Sequence, residues 1–377
     1  MTTDSQAPVP PPATLLYAPL PAVKGRGTVW ALEHRFTQQA RQSIDDGWGV
    51  LARAAAEDAA PAPGTEVRSE IVRSILSGND SPDIGFDWSI NPYRGCEHGC
   101  IYCYARPTHS YLNLSPGIDF ETRIVAKVNA AEKLREALGA RGYTPGQLNI
   151  GSVTDAYQPA ERRLRITRSV IEVLSEARHA FSIITKSSLV ERDLDLIAPM
   201  AAERLAAVTV SITTLDSELA RKLEPRACSP QRRLRCIETL ARAGVPVGVS
   251  VSPVIPFLNE PELERILSQA RDAGAGSAFS IVLRLPWEVN PLFQQWLQQH
   301  VPERAGRIMA RVREMRGGKD NDSRFGMRMT GQGVWAELLR QRFSKACERL
   351  GLNREKVPLD LCRFRPPARQ AGQGQLF

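Results

Sequence analysis

From Asp83 to Pro286 short apolar runs alternate with amphipathic stretches, and that alternation limits the chain to a layered α/β architecture built on a parallel sheet. Six runs read as strands: Phe86 to Ile90, Leu148 to Val153, Phe181 to Thr185, Ala207 to Thr213, Val247 to Val251 and Ala278 to Leu283. Each is short and mostly β-branched or apolar, as strands covered on both faces are. Between them the apolar periodicity predicts helices over Arg123 to Leu138, Glu161 to Ala177, Asp193 to Arg204, Gln231 to Ala243 and Glu260 to Ala273, the last two stopped by Gly244 and Gly274. Six units are fewer than the eight that close a full barrel, so the expected fold is an open, partial (β/α)6 TIM-like barrel.

Around this core, residues 83–289, three further regions are expected. Residues 1–22 hold six prolines and read as a disordered tail. Residues 23–82 form an N-terminal extension with short helical patterns such as Phe36 to Asp46, and residues 290–377 form a basic helical extension with a Gly-rich loop from Arg316 to Gly333. The formal charge is +8, yet residues 301–377 carry 17 Lys and Arg against 8 Asp and Glu, so the excess is concentrated there. Such a segment is either a nucleic-acid contact or a solvated set of helix faces. No apolar run is long enough for a membrane span and the Pro-rich start is not a secretory signal, so a cytoplasmic protein is expected.

Three of the seven cysteines fall in the loop after the first strand, Asn91-Pro-Tyr-Arg-Gly-Cys96-Glu-His-Gly-Cys100-Ile-Tyr-Cys103-Tyr-Ala-Arg106. An odd count with one tight cluster is not a disulfide framework. Spacings of four and three, with Gly95 and Gly99 to bend the loop, suit three thiolates on one [4Fe-4S] cluster with one iron left open. An open iron can chelate the amino and carboxyl groups of S-adenosylmethionine (SAM), and a β/α barrel places its active site at these strand ends. The rivals are a zinc site with His98 or His109 as fourth ligand, and three buried structural thiols.

The loop resembles that of the radical SAM superfamily, whose signature corresponds here to Cys96, Cys100, the aromatic Tyr102 and Cys103. Within it the chain is similar to the spore photoproduct lyase-related (DNA repair photolyase-like) group, and more narrowly to an uncharacterised bacterial subfamily. The supporting segments are Gly25-Arg-Gly27, Asn79 to Gly85, Ser89 to Pro107, Thr154 to Pro159, Ile184 to Ser187, Ser211 to Asp216, Leu223-Glu-Pro-Arg226 and Arg284-Leu-Pro286. They span about residues 24–365. The resemblance implies a partial barrel with SAM across the strand ends, and a reducing partner such as flavodoxin or ferredoxin. It places Ser152 to Asp155 at the SAM amino group, with Asp155 able to accept from an ammonium or, alternatively, to cap the next helix. Lys186 and Arg226 are placed for the SAM carboxylate or ribose, and Ser211 and Thr213 end their strand with hydroxyls towards the ligand; solvated or structural roles stay open for each.

Spore photoproduct lyase uses a further cysteine near its second strand, where this chain has Ile150-Gly-Ser-Val153. Cys228 is a candidate replacement hydrogen donor, against a plain packing role; Cys236, Cys347 and Cys362 read as packing residues. Three functions follow: a radical enzyme acting on nucleic acid, one acting on a protein, peptide or small molecule, and a zinc-stabilised nucleic-acid-binding protein without catalysis.

Overall fold

The computed structural model describes residues 24–37, 64–355 and 358–367. The tail at 1–22 and most of the helical pattern from Phe36 to Asp46 lie outside the described residues. Among the described residues ten strands are formed: β1 (Glu66–Glu70), β2 (Leu76–Gly78), β3 (Trp88–Ile90), β4 (Tyr93–Arg94), β5 (Arg123–Lys127), β6 (Leu148–Ile150), β7 (Phe181–Thr185), β8 (Ala206–Ser211), β9 (Val247–Val254) and β10 (Ser277–Val282). Seven make one sheet in the order β10-β9-β8-β7-β6-β3-β2. From β3 to β10 every pairing is parallel, and β2 runs antiparallel along β3. This is the partial (β/α)6 barrel that the alternation predicts.

The crossover helices bury one stripe each. In Ile166–Glu176 the residues Ile166, Val170, Ile171, Val173 and Leu174 face the sheet, at the spacing a helix needs to cover a strand layer. Helices Pro230–Arg242 and Leu263–Asp272 stop within two residues of Gly244 and Gly274, as expected. The pattern from Glu161 to Ala177 is interrupted at Arg165, where φ is +53°, so it becomes two helices, Glu161–Leu164 and Ile166–Glu176.

Two sequence readings are corrected. The helix expected from Arg123 begins only at Ala130, and residues 123–127 are β5 instead. The alternating burial of Ile124, Val125 and Ala126 fits a two-residue period, and β5 is held between β1 and β4 in a separate three-stranded sheet. Asn129 marks the change of period: its side chain accepts from the Val72 amide and donates to the Val72 carbonyl, both at 2.9 Å. The second correction concerns the N-terminal extension, whose described part carries β1 and β2 where helical patterns were expected, because pairing with β5 and β3 outweighs weak local preference.

The C-terminal region contains helices Val289–His300, Pro302–Met315 and Gly333–Leu350. Much of its positive charge is tied to the body: Arg342 grips Glu260 and Glu264, Arg328 grips Asp83, and Arg363 grips Glu203. The Gly-rich loop lies along β10, where the Val282 amide donates to the Met329 carbonyl at 3.0 Å. This loop and the segment between β2 and β3 close the open side of the barrel. Arg328 and Asp83 meet there at 2.6 Å, and the Gly326 amide donates to Asp83 at 2.7 Å.

The free edge of β10 is finished by one side chain. Asn353 accepts from the Ala278 amide at 2.8 Å and donates to its carbonyl at 2.9 Å, imitating a further strand residue. Asn353→Ala is expected to lower stability by about 1–3 kcal/mol through the loss of both bonds, measured as a shift in the urea midpoint.

Candidate functional site

The cysteine loop leaves β3 at the carboxyl end of the sheet and is held by groups that are almost wholly buried. Arg106 has no exposed surface, and every one of its N–H donors finds an acceptor. Its Nε donates to the Cys100 carbonyl at 2.8 Å, Nη1 to the carbonyls of Pro116 and Gly117 at 3.2 and 2.9 Å, and Nη2 to the Gly99 carbonyl at 3.0 Å and Glu121 Oε1 at 2.5 Å. Glu121 in turn accepts from the Gly27 amide at 2.9 Å. A Cβ on Gly27 would stand 2.0 Å from the Gly99 carbonyl oxygen, so the 25–27 segment can cross beneath the loop only as glycine. Gly99 itself has φ of +68°, which lets the chain turn between Cys96 and Cys100.

Within this frame Cys96 and Cys100 are buried and Cys103 is partly exposed, all three as free thiols. Cys103 packs against both the Cys96 and the Cys100 side-chain clusters. Burial, with Asp155 and Cys100 nearby, pushes the Cys96 thiol well above its ordinary value. Burial likewise pushes Cys100 up to about 12, although Lys186 pulls it the other way. Thiols in this state must release protons to become ligands.

Each histidine proposed as a zinc ligand has one ring nitrogen engaged, while His109 Nδ1 is buried without a partner. His98 Nδ1 is 3.3 Å from Asp155 Oδ2, and His109 Nε2 is 3.0 Å from the Arg123 carbonyl. Among the described residues no three His, Cys, Asp or Glu side chains, the three loop thiols included, are grouped as ligands of a single metal ion. By its chemistry a set of three cysteines on one loop suits an iron-sulfur cluster that keeps one iron open.

Two charged networks flank the loop. On the Cys100 side is Glu224, a buried residue that the sequence reading did not single out. It accepts from Tyr102, from Thr213 at 2.6 Å and from the buried Arg233 guanidinium. The Tyr102 hydroxyl also lies 3.1 Å from Thr213 Oγ1. Burial alone would raise the Glu224 carboxyl, but Arg233 and Lys186, with the two hydroxyl donors, hold it down at about 2. Lys186 completes this side, with its ammonium 5.8 Å from the Tyr102 ring centroid. Burial would lower Lys186, yet Cys100 and Glu224 raise it. No hydrogen bond joins that ammonium to any described residue, so it faces the strand ends as an uncommitted cation.

On the Cys96 side is Asp155. Its Oδ1 accepts from the Thr185 hydroxyl at 2.7 Å and the Tyr157 amide at 2.9 Å, and its Oδ2 accepts from the Lys186 amide at 2.8 Å. Burial opposes its ionisation, but His98 and these donors hold it well below the usual carboxylate range. Ser211 ends β8, its carbonyl accepting from Arg233 at 3.0 Å. Arg226 lies outside the group, pairing with Glu97 at 2.9 Å and donating to Thr65 at 2.9 Å. Cys228 sits beside Ser188, whose amide and hydroxyl are 3.3 and 3.4 Å from its sulfur. Cys236 and Cys347 are buried as expected, whereas Cys362 is exposed, on the short turn of Leu361–Arg363 near the chain's end.

Residues 90–270, which contain the loop and both networks, match the radical SAM superfamily. An uncharacterised protein of Mycobacterium tuberculosis is 38% identical over 232 residues, covering 61% of this chain and 67% of its own. The chain belongs to the radical SAM superfamily. A second uncharacterised relative, from Methanocaldococcus jannaschii, is 28% identical over 219 residues, covering 58% of this radical SAM chain and 78% of its own. Among solved structures the fold is similar to spore photoproduct lyase complexed with dinucleoside spore photoproduct, with a TM-score of 0.52 at 15% identity over 76% of this chain and 80% of that one. A spore photoproduct lyase variant with bound AdoMet and the same dinucleoside gives the same score. Superfamily membership implies an enzyme that uses SAM and an iron-sulfur cluster. No helix among the described residues is long and apolar enough to cross a membrane.

The Glu224 network gives a signed pH dependence. The folded carboxyl stays ionised to about pH 2, against an ordinary value of 4.5. Its contribution to stability is therefore fully present above about pH 4.5 and is lost as pH falls towards 2. Glu224→Gln is expected to remove that part of the acid slope and, by leaving the buried Arg233 without its counter-charge, to destabilise at pH 7 by about 3–5 kcal/mol. Urea denaturation between pH 3 and 7 measures both.

Proposed function

We propose that this chain binds a [4Fe-4S] cluster through Cys96, Cys100 and Cys103 and uses it with SAM for hydrogen abstraction from a substrate. When bound and reduced, by a partner such as flavodoxin or ferredoxin, the cluster would supply the electron that cleaves SAM to methionine and a 5′-deoxyadenosyl radical. The observation that carries this reading is the Lys186 ammonium, half-buried near Cys100 and without a hydrogen bond to any described residue. A cation beside an open iron is a receptor for the SAM carboxylate.

The other residues follow from their partners. Tyr102, Thr213 and Glu224 set the wall behind Cys100 and hold Lys186 charged, and Ser211 lines the same strand end. Asp155 can offer an ammonium only a carboxylate already bonded on both oxygens. We therefore assign it to orienting His98 and the Thr185-Lys186 turn, with the SAM amino group received on its outer face. Arg226, paired with Glu97, braces the far side of the loop. The Cys228 sulfur accepts from the Ser188 amide, and a hydrogen-donor role for Cys228 is part of this proposal. Nucleic acid is the candidate substrate class, with the C-terminal arginines contributing less than their number implies because so many are paired.

Anaerobic reconstitution with iron and sulfide is expected to give a brown protein with about four irons that forms 5′-deoxyadenosine from SAM under dithionite. Cys100→Ala should lose both colour and product. Lys186→Met should keep the iron and weaken SAM binding by about 10- to 100-fold, the effect of one charge-assisted hydrogen bond. A colourless, zinc-loaded protein that leaves SAM intact would overturn the proposal.

A further inference from the structure

Arg284 follows β10 and opens the Arg284-Leu-Pro286 segment, which neither the cluster nor SAM accounts for. Its Nε is buried and bonded to nothing. Its Nη1 meets only the Met329 thioether at 3.5 Å, a weak acceptor, and its Nη2 donates to no described residue. Nε and Nη2 form one edge of the guanidinium, the pair of parallel donors that grips an oxyanion. That edge has no carboxylate on it in a protein where most other buried arginines have one.

The surroundings are cationic. Burial first, and then Arg328, lowers the proton affinity of Arg284, and burial first, and then Arg284, lowers that of Arg316. The two carboxylates nearby are already engaged: Asp83 holds Arg328 at 2.6 Å, and Asp322 holds Arg324 at 2.7 Å. Arg316 Nε is a second buried donor without an acceptor. On the other side, the Arg284 guanidinium stands 5.7 Å from the ring centroid of Tyr104, the residue after Cys103. Tyr104 keeps 49% of its surface exposed, and its hydroxyl donates to the Ser152 carbonyl, which fixes the ring.

We infer that the seam between the cysteine loop and β10 holds a substrate phosphate group on the free edge of Arg284, beside the open face of Tyr104. This names the substrate chemistry for the radical site and rests on that reading. A phosphate fits the place because its non-bridging oxygens can take both donors of that edge, the two local carboxylates being already bonded to Arg328 and Arg324. Tyr104 stands next to it with a flat, fixed and exposed ring against which a base can stack. The phosphate is either the phosphodiester of a single strand or that of a free nucleotide or inorganic ion.

The test uses the reconstituted full-length protein, a fluorescein-labelled octathymidylate and inorganic phosphate. Binding of the oligonucleotide is read by anisotropy across a salt series, with phosphate as competitor. Arg284→Gln is expected to weaken binding about ten-fold and to reduce the salt slope by about one contact. Arg284→Lys, which keeps the charge and loses the paired edge, should fall between. Arg242→Gln, at a position 78% exposed on a distant helix, should change nothing. Arg284-dependent binding of the oligonucleotide assigns the phosphate to a strand, and Arg284-dependent binding of phosphate alone assigns it to a small ligand. If neither probe binds, or if Arg284→Gln and Arg284→Lys bind as the parent does, the inference falls. Deoxyadenosine formation without oligonucleotide, measured on the same preparations, reports on the cofactor chemistry alone, so failure of that reading is seen separately.

Discussion

The loop that carries the cysteines has its shape because one guanidinium gathers its carbonyls. Arg106 bonds to the backbone oxygens of Gly99, Cys100, Pro116 and Gly117 and to the Glu121 carboxylate, with no exposed surface of its own. Carbonyls turned inward like this would repel one another without a cation among them, and a buried cation without them would be expelled to solvent. The two requirements cancel only in this arrangement. It fixes the backbone of the loop between Gly99 and Gly117 from within.

Charge is then graded across the site. Asp155 with His98 stands on the Cys96 side, and Glu224 with Arg233 stands on the Cys100 side. Each of these two buried anions is matched by protein donors, and the Lys186 ammonium, beside Glu224, makes no hydrogen bond to a described residue. A low dielectric strengthens its demand for a partner, since the same ammonium in water would be satisfied by solvent.

The architecture was legible because each barrel strand is a short apolar run between amphipathic helices, a pattern whose period is local. Residues 123–127 were misread because Ile124, Val125 and Ala126 are too few to distinguish a two-residue period from the start of the helix that follows. β1 and β2 could not be read from Val67 or Leu76, since their pairing partners lie far along the chain. The three cysteines stand out by spacing, and the structure packs Cys103 against the clusters of both Cys96 and Cys100. Glu224 was printed in a recognised segment, Leu223 to Arg226, but its importance comes from Arg233 and Tyr102 approaching it in space. Arg106 was hidden for the same reason: an arginine after a cysteine loop reads as a surface charge until its acceptors are in place. Arg226 shows the converse, a cation whose position beside the loop suggested a ligand contact and whose partner is Glu97.

The two ends of the main sheet, β2 and β10, do not pair with each other. Across that gap the contacts are made by side chains and by single amides: Asp83 with Arg328 and Gly326, and Arg284 with Tyr104. Such contacts can part while every rung of the strand ladder stays intact, because none of them belongs to it. The barrel is a cuff whose clasp, among the described residues, is a handful of polar groups and not a strand pairing.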